Sequence, residues 1–155
     1  MRVSRYENAT KKDPNNEELL SHLFMSYVRM GQYKKQKVAA MNLYKARPKN
    51  PYYFWSVMSV VLEALEGGDE KLAQNVLLPL AQTMVEKIEK EGRMEQEQET
   101  LLYLMILELR NDWQGGINVM NGPLGKKLEQ AATYMTLCRN KRLDFQQKVN
   151  CGGFT

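Results

Sequence analysis

Histidine is nearly absent: the 155 residues contain one, His22. With no second His or Cys at ligand spacing, a histidine-built metal centre is excluded and His22 reads as a plain surface or interface residue. Cysteine is almost as scarce. Cys138 and Cys151 both fall in the last fifth of the chain, without a CxxC pair or a partnering His. They read as reduced cytosolic thiols, which leaves no disulfide framework, zinc site or thiol nucleophile to build on. No Gly-x-Ser-x-Gly elbow occurs, and the glycine clusters Gly115-Gly116 and Gly122-Pro123-Leu124-Gly125 follow no strand pattern, so neither is a phosphate loop. Glu95, Glu97 and Glu99 lack the glycine and the oxygen-rich loop of a calcium hand and read as charges at a helix start. No stretch approaches the 18 or so uninterrupted apolar residues of a membrane span, and Met1 to Glu7 lacks a signal-peptide core. The expectation is a cytoplasmic protein that is not an enzyme, with no catalytic, cofactor-binding or metal-binding residue of its own.

What is present is a globular composition, 43% hydrophobic and 26% charged, in a chain long enough to bury roughly 70% of its unfolded surface in a real core. Ten methionines are the one unusual count, and they suit irregular helical interfaces. The formal charge of +4 conceals a pattern. Residues 1–50 hold eleven Lys and Arg against four Asp and Glu, a net of +7; residues 51–110 hold five against eleven, a net of −6. Residues 111–155 hold six against three, a net of +3. The alternation argues against one continuous nucleic-acid surface and for separate patches, so no direct DNA binding is expected.

Organisation comes from the stretch Asp13 to Pro51. Asp13-Pro14-Asn15-Asn16 opens it, Arg47-Pro48-Lys49-Asn50 closes it, and Pro14 and Pro48 stand 34 residues apart. That is the period of a tetratricopeptide repeat. Leu20, Leu23 and Tyr27 fall at the first-helix core positions, Gly31 and Tyr33 at the inter-helix turn, Leu43 late in the second helix, and Pro48 at the closing mark. The spacing predicts one helix over about 17–30, capped by Asn15 or Asn16, and another over about 33–46. Phe24 and Gln36 occupy positions that usually hold small residues, which predicts a wider crossing of these two helices. Residues 1–12 read as the second helix of a repeat whose first is missing, so a loosened N-terminus with fast amide exchange is expected there.

Beyond the repeat, Asn50 is expected to cap a helix with Pro51 at its first position, and Tyr52 to Leu65, apolar nearly all round, is expected to be core. Gly67-Gly68-Asp69 stops it and starts a long helix at Glu70, whose Leu72, Val76, Leu80, Met84 and Ile88 recur every four residues, with Leu77, Ala81 and Val85 beside them. Pro79 lies within that helix and predicts a kink or a break. Met94 to Leu109, a short helix bearing Trp113, Ile117 and Met120, and a weakly patterned helix from Lys126 to Cys138 complete the reading. The fold class is all-α, a tetratricopeptide-like helical-repeat superhelix (an α-α solenoid) of about seven helices. Residues 1–128 form the repeat domain, and 129–155 a divergent C-terminal helix and tail.

Only the basic run Lys34, Lys35 and Lys37, with Lys45, Arg47 and Lys49 further on, carries partner meaning. It is either a solvated helix face or a surface attracted to an acidic partner such as ribosomal RNA. The second reading makes the chain an independent tetratricopeptide-like protein- or ribosome-binding module.

The wording of four blocks is more specific than the period. TKKDPNNEELLSHLFMSYVRMGQYKK at 10–35, PKNPYYFWSVMS at 48–59, LPLAQTMVEKIEKE at 78–91 and GPLGKKL at 122–128 together resemble the N-terminal repeats of the auxiliary subunit of the NatB N-terminal acetyltransferase complex. The resemblance implies a helical scaffold that binds a separate catalytic subunit and contributes to ribosome association. It also implies that acetyl-CoA is held by that other subunit, which acetylates nascent chains beginning Met-Asp, Met-Glu, Met-Asn or Met-Gln. Against a full auxiliary subunit, the chain reads as a fragment, a short isoform or a truncated gene copy.

Overall fold

A computed structural model describes residues 2–128. The expected C-terminal helix and tail, with Cys138 and Cys151, lie outside the described residues. Among those described, every regular element is helical: α1 (Arg2–Lys12), α2 (Glu17–Met30), α3 (Tyr33–Ala46), α4 (Asn50–Glu66), the single turn α5 (Glu70–Leu72), α6 (Leu78–Lys90), α7 (Glu97–Leu109) and α8 (Trp113–Asn121). A π-helical turn, Ala73–Leu77, joins α5 to α6, and a 3-10 turn, Gly125–Lys127, follows α8.

The chain divides into two compact units after Arg93, where the sequence had suggested one array through residue 128. Gly92, at φ 69, ends α6 in the left-handed region and marks the division. Within the first unit each helix packs on its chain neighbour: α1 on α2, α2 on α3, α3 on α4, and α4 on α6 and the π turn. That nearest-neighbour order is the packing logic of helical repeats. Its core combines Leu20, Leu23, Phe24 and Tyr27 of α2 with Ala39, Ala40 and Leu43 of α3 and Phe54, Val57, Val60 and Val61 of α4. Val3 and Tyr6 of α1 pack against this cluster, and the Tyr6 ring stacks on His22 at 5.4 Å.

The α2–α3 pair is built by its caps. The Leu19 amide donates to Asn16 Oδ1 at 3.1 Å, and Glu17 and Glu18 occupy the positive first turn. At the other end Gly31 takes φ 66, and the Gln32 amide returns to the Tyr27 carbonyl at 3.0 Å, closing a Schellman turn. A side chain at that φ would be strained. Phe24 and Gln36, the two large residues at positions that usually hold small ones, are directed to α4. Phe24 stacks on Trp55 at 4.7 Å, and Gln36 Nε2 donates to Ser59 Oγ at 2.9 Å.

Three details of the first unit differ from the expectation. Asn50 does not cap α4; it is the first helical residue, with Lys49 in extended conformation before it. Its amide is committed elsewhere, donating to the Arg93 carbonyl at 2.5 Å and accepting from Arg93 Nη2 at 3.0 Å. Second, α4 is not buried all round, since Met58 and Leu65 are exposed. Third, the four-residue stripe after Glu70 faces the wrong way in its first half. Leu72, Val76 and Leu80 are 36%, 51% and 38% exposed, while Ala73, Leu77, Leu78, Ala81, Val85 and Ile88 are buried. The buried row is the neighbouring one: Ala73, Leu77, Ala81 and Val85 also recur every four residues, and a four-residue row drifts by about 40° per step around an α-helix. Within this stretch the π turn places the Leu78 amide on the Ala73 carbonyl, five residues back. Pro79 then falls in the first turn of α6, where its missing donor is harmless.

The second unit holds α7, α8 and the 3-10 turn. Glu99, read from sequence as one of three helix-end charges, is buried and closes a capping box. Its Oε1 accepts from the amides of Glu95 and Gln96, each at 3.0 Å. Asp112 caps α8 by accepting from the Gly115 amide at 2.9 Å. A Cβ on Gly115 would sit 2.4 Å from the Asp112 carboxylate, so the glycine that weakens this helix also makes room for its cap. Leu104 and Met120 pack with Leu128 as a small core.

Candidate interaction surface

The repeat-defining residues divide by burial. Leu20, Leu23, Tyr27 and Leu43 are core, and Gly31 is the turn. Tyr33 is half-buried, and its hydroxyl donates to the Glu66 carboxylate, joining the start of α3 to the end of α4. That bond to a carboxylate raises the tyrosine's pKa. Pro48 is exposed in the link between α3 and α4.

Lys34 and Lys35 are exposed on the first turn of α3, and Lys37 is half-buried. Lys35 Nζ lies 5.9 Å from the centroid of the Tyr27 ring, within reach of a cation–π contact. Burial first, then the facing Glu7 carboxylate of α1, raise the Tyr27 pKa. Between α2 and α3 these residues border an open groove of about 300 Å³. Its floor is Leu23, Tyr27 and Ala39, which are buried; its edge is Lys34, Lys35 and Val38, which are exposed, with Asn42 beyond them. No carboxylate lines it.

Lys45 is exposed on the last turn of α3, and the last two basic residues of the run play another part. Lys49 Nζ and Arg47 Nε approach Glu17 at 3.0 and 3.5 Å, and the Tyr52 hydroxyl donates to the same carboxylate. The tyrosine hydrogen bond and then the lysine hold the Glu17 carboxyl below its ordinary pKa. This cluster ties the start of α2 to the α3–α4 link and to α4. Arg93 forms a second tie, donating to Tyr44 Oη at 2.9 Å, to Asn50 Oδ1 at 3.0 Å and to Glu91 Oε2 at 2.9 Å. The run read as one basic patch is therefore two things: lysines exposed on α3, and a Lys-Arg pair that shares the single carboxylate of Glu17.

Sequence periodicity does not reveal the groove, because Leu23 and Tyr27 read simply as core. The one local signal is Val38, an apolar residue that follows Lys34, Lys35 and Lys37 on α3 and is 52% exposed. The reach of Arg93 to Asn50 and Tyr44 has no local signal, since these partners lie 43 and 49 residues away. Among the described residues, no group of three or more His, Cys, Asp and Glu is placed to hold a metal ion. No helix described is long and apolar enough to cross a membrane.

A family model described as "Psidin, N-terminal TPR repeats region" matches residues 1–150. A human protein named "N-alpha-acetyltransferase 25, NatB auxiliary subunit" is 54% identical over 123 residues, covering 79% of this chain and 13% of its own length. The "Phagocyte signaling-impaired protein" of Drosophila pseudoobscura pseudoobscura is 49% identical over 132 residues, 84% of this chain and 14% of its own. An Arabidopsis thaliana protein named "N-terminal acetyltransferase B complex auxiliary subunit NAA25" is 31% identical over 126 residues, 81% of this chain and 12% of its own. The chain thus spans between 12% and 14% of the length of these curated relatives.

Proposed function

The chain belongs to the Psidin N-terminal TPR-repeat family, and from that membership we propose that it is a non-catalytic scaffold piece of a NatB-type N-terminal acetyltransferase. In this reading it binds the catalytic subunit and supports acetylation of nascent chains beginning Met-Asp, Met-Glu, Met-Asn or Met-Gln. Acetyl-CoA is bound by the catalytic subunit, and the complex works in the cytoplasm beside the ribosome. The observation that carries the reading is the 54% identity to a protein named as a NatB auxiliary subunit. Nearest-neighbour helix packing supports it, because such repeats present long surfaces to partners. Mixing the chain with the catalytic subunit and following size-exclusion elution tests it. Co-elution is expected, and separate elution at micromolar concentrations would remove the binding claim.

A second reading rests on the open lysines of α3. Lys34 and Lys35 have no carboxylate beside them in the groove they border, which favours an acidic partner, ribosomal or otherwise, independent of acetylation. Replacing Lys34, Lys35 and Lys37 with Glu should abolish ribosome co-sedimentation if that partner is the ribosome; unchanged sedimentation would exclude it.

A further inference from the structure

The groove between α2 and α3 combines an apolar floor with a basic edge. Its floor is apolar, with Leu23 and Tyr27 each 8% exposed and Ala39 3% exposed. At its edge, Lys34 and Lys35 stand beside an exposed Val38, within a segment, residues 1–50, of net charge +7. Apolar contact alone would not select for charge, and phosphate contact alone would not need Val38 or a hydrophobic floor. A nucleic acid could use such a floor only by stacking a base on an aromatic face. Tyr27 offers none, being buried in the core with Lys35 Nζ 5.9 Å from its ring centroid.

We propose that this groove docks an acidic amphipathic peptide segment of a protein partner. An aliphatic side chain of the segment seats against Val38 and the edge of Tyr27, and its carboxylates face Lys34 and Lys35. The charge complementarity decides the occupant: the groove lining carries two lysines and no acid. Glu7, which faces the Tyr27 hydroxyl from α1, limits how far an acidic segment can run toward α1, so the carboxylates belong at the Lys34–Lys35 end. The segment docks as an amphipathic helix does in a groove, with apolar anchors on one face and charges flanking them. This goes beyond the scaffold reading and does not depend on it, because every residue that lines the groove belongs to α2 or α3.

The test is fluorescence anisotropy on the full chain with three labelled probes. The first is a helical peptide with leucines at i and i+4 flanked by glutamates, the second the same peptide with lysines for glutamates, and the third a single-stranded oligouridylate. Two variants accompany them, Val38→Asn and the double change Lys34→Glu with Lys35→Glu, both at exposed positions and both checked by circular dichroism. The acidic peptide is expected to bind more tightly than either other probe. Val38→Asn should weaken it about tenfold, from lost apolar contact, and the lysine reversal more than about tenfold, with a reduced salt dependence. The proposal is overturned if the acidic peptide does not bind, or if Val38→Asn leaves its affinity unchanged. It is also overturned if the oligouridylate binds more tightly and responds only to the lysine reversal, which would make the surface a nucleic-acid site. Self-association of the chain that Val38→Asn abolishes would make a second copy the occupant and overturn it as well.

Discussion

The α2–α3 pair and the α5–α6 segment are both legible as apolar residues at helical spacing, yet the first buries its repeat-defining core residues while the second turns the start of its four-residue stripe outward and buries the row beside it, Leu77, Ala81 and Val85. Leu20, Leu23, Tyr27 and Leu43 are core, whereas Leu72, Val76 and Leu80 are exposed. The two segments also differ in their hydrogen-bond ladders. Between its Asn16 and Gly31 caps α2 is uninterrupted α-helix, while the Ala73–Leu77 turn inserts a five-residue step. A four-residue row drifts by about 40° per step around an α-helix, so periodicity alone does not decide which of two adjacent apolar rows is buried. The two segments differ at the surface as well. The regular pair sets a groove beside open lysines, and the irregular segment exposes an apolar stripe.

Truncation at matched positions should give the largest separation between the two regions. Leu43→Ala, at a fully buried site, is expected to cost about 3 kcal/mol in chemical denaturation. Val76→Ala, half exposed, should stay within about 0.5 kcal/mol. Comparable losses at both would mean that the exposed stripe is covered and the contrast is wrong. Next in size is proline tolerance. Ala40→Pro in the middle of α3 should cost about 3 kcal/mol or more, whereas Pro79→Ala should shift stability by less than about 1 kcal/mol, because the π turn and the first turn of α6 already dispense with that donor. A large gain from Pro79→Ala would show that the proline strains the segment.

Gly31→Ala tests the turn of the regular pair. At φ 66 the substitution should cost about 1–2 kcal/mol, and a neutral result would place the α2–α3 turn outside the left-handed region. The smallest expected effect is pH-dependent. Glu17 has its folded pKa lowered below the ordinary 4.5 by Tyr52 and Lys49. Its contribution is therefore fully present above that ordinary value and is lost as pH falls through the lower folded value. In a denaturation series the difference between the wild type and Glu17→Gln should be constant near neutrality and shrink below about pH 4.5. A difference that grows on acidification would reverse the assigned sign.

Much of the frame is legible in the sequence because it is local. Asn16, the 34-residue spacing of Pro14 and Pro48 and the glycine after Met30 locate α2 and α3, since caps and turns act within a few residues. What escapes is set at long range. Asn50 has the right composition and position for a cap, yet its amide is taken by Arg93, 43 residues away. Lys49 and Arg47 look like a continuation of the α3 lysines until Glu17, about 30 residues earlier in the chain, is seen to pair with both. Of the surface, the lysines could be named from sequence, but the groove beside them required knowing that Val38 is left uncovered.

The central functional claim, a scaffold without catalysis of its own, is tested most directly by acetyl transfer. The purified chain, alone and with the catalytic subunit, is given labelled acetyl-CoA and a peptide beginning Met-Asp. No transfer by the chain alone, and transfer in the fraction where the chain and the catalytic subunit elute together, is the predicted result; transfer by the chain alone would contradict it.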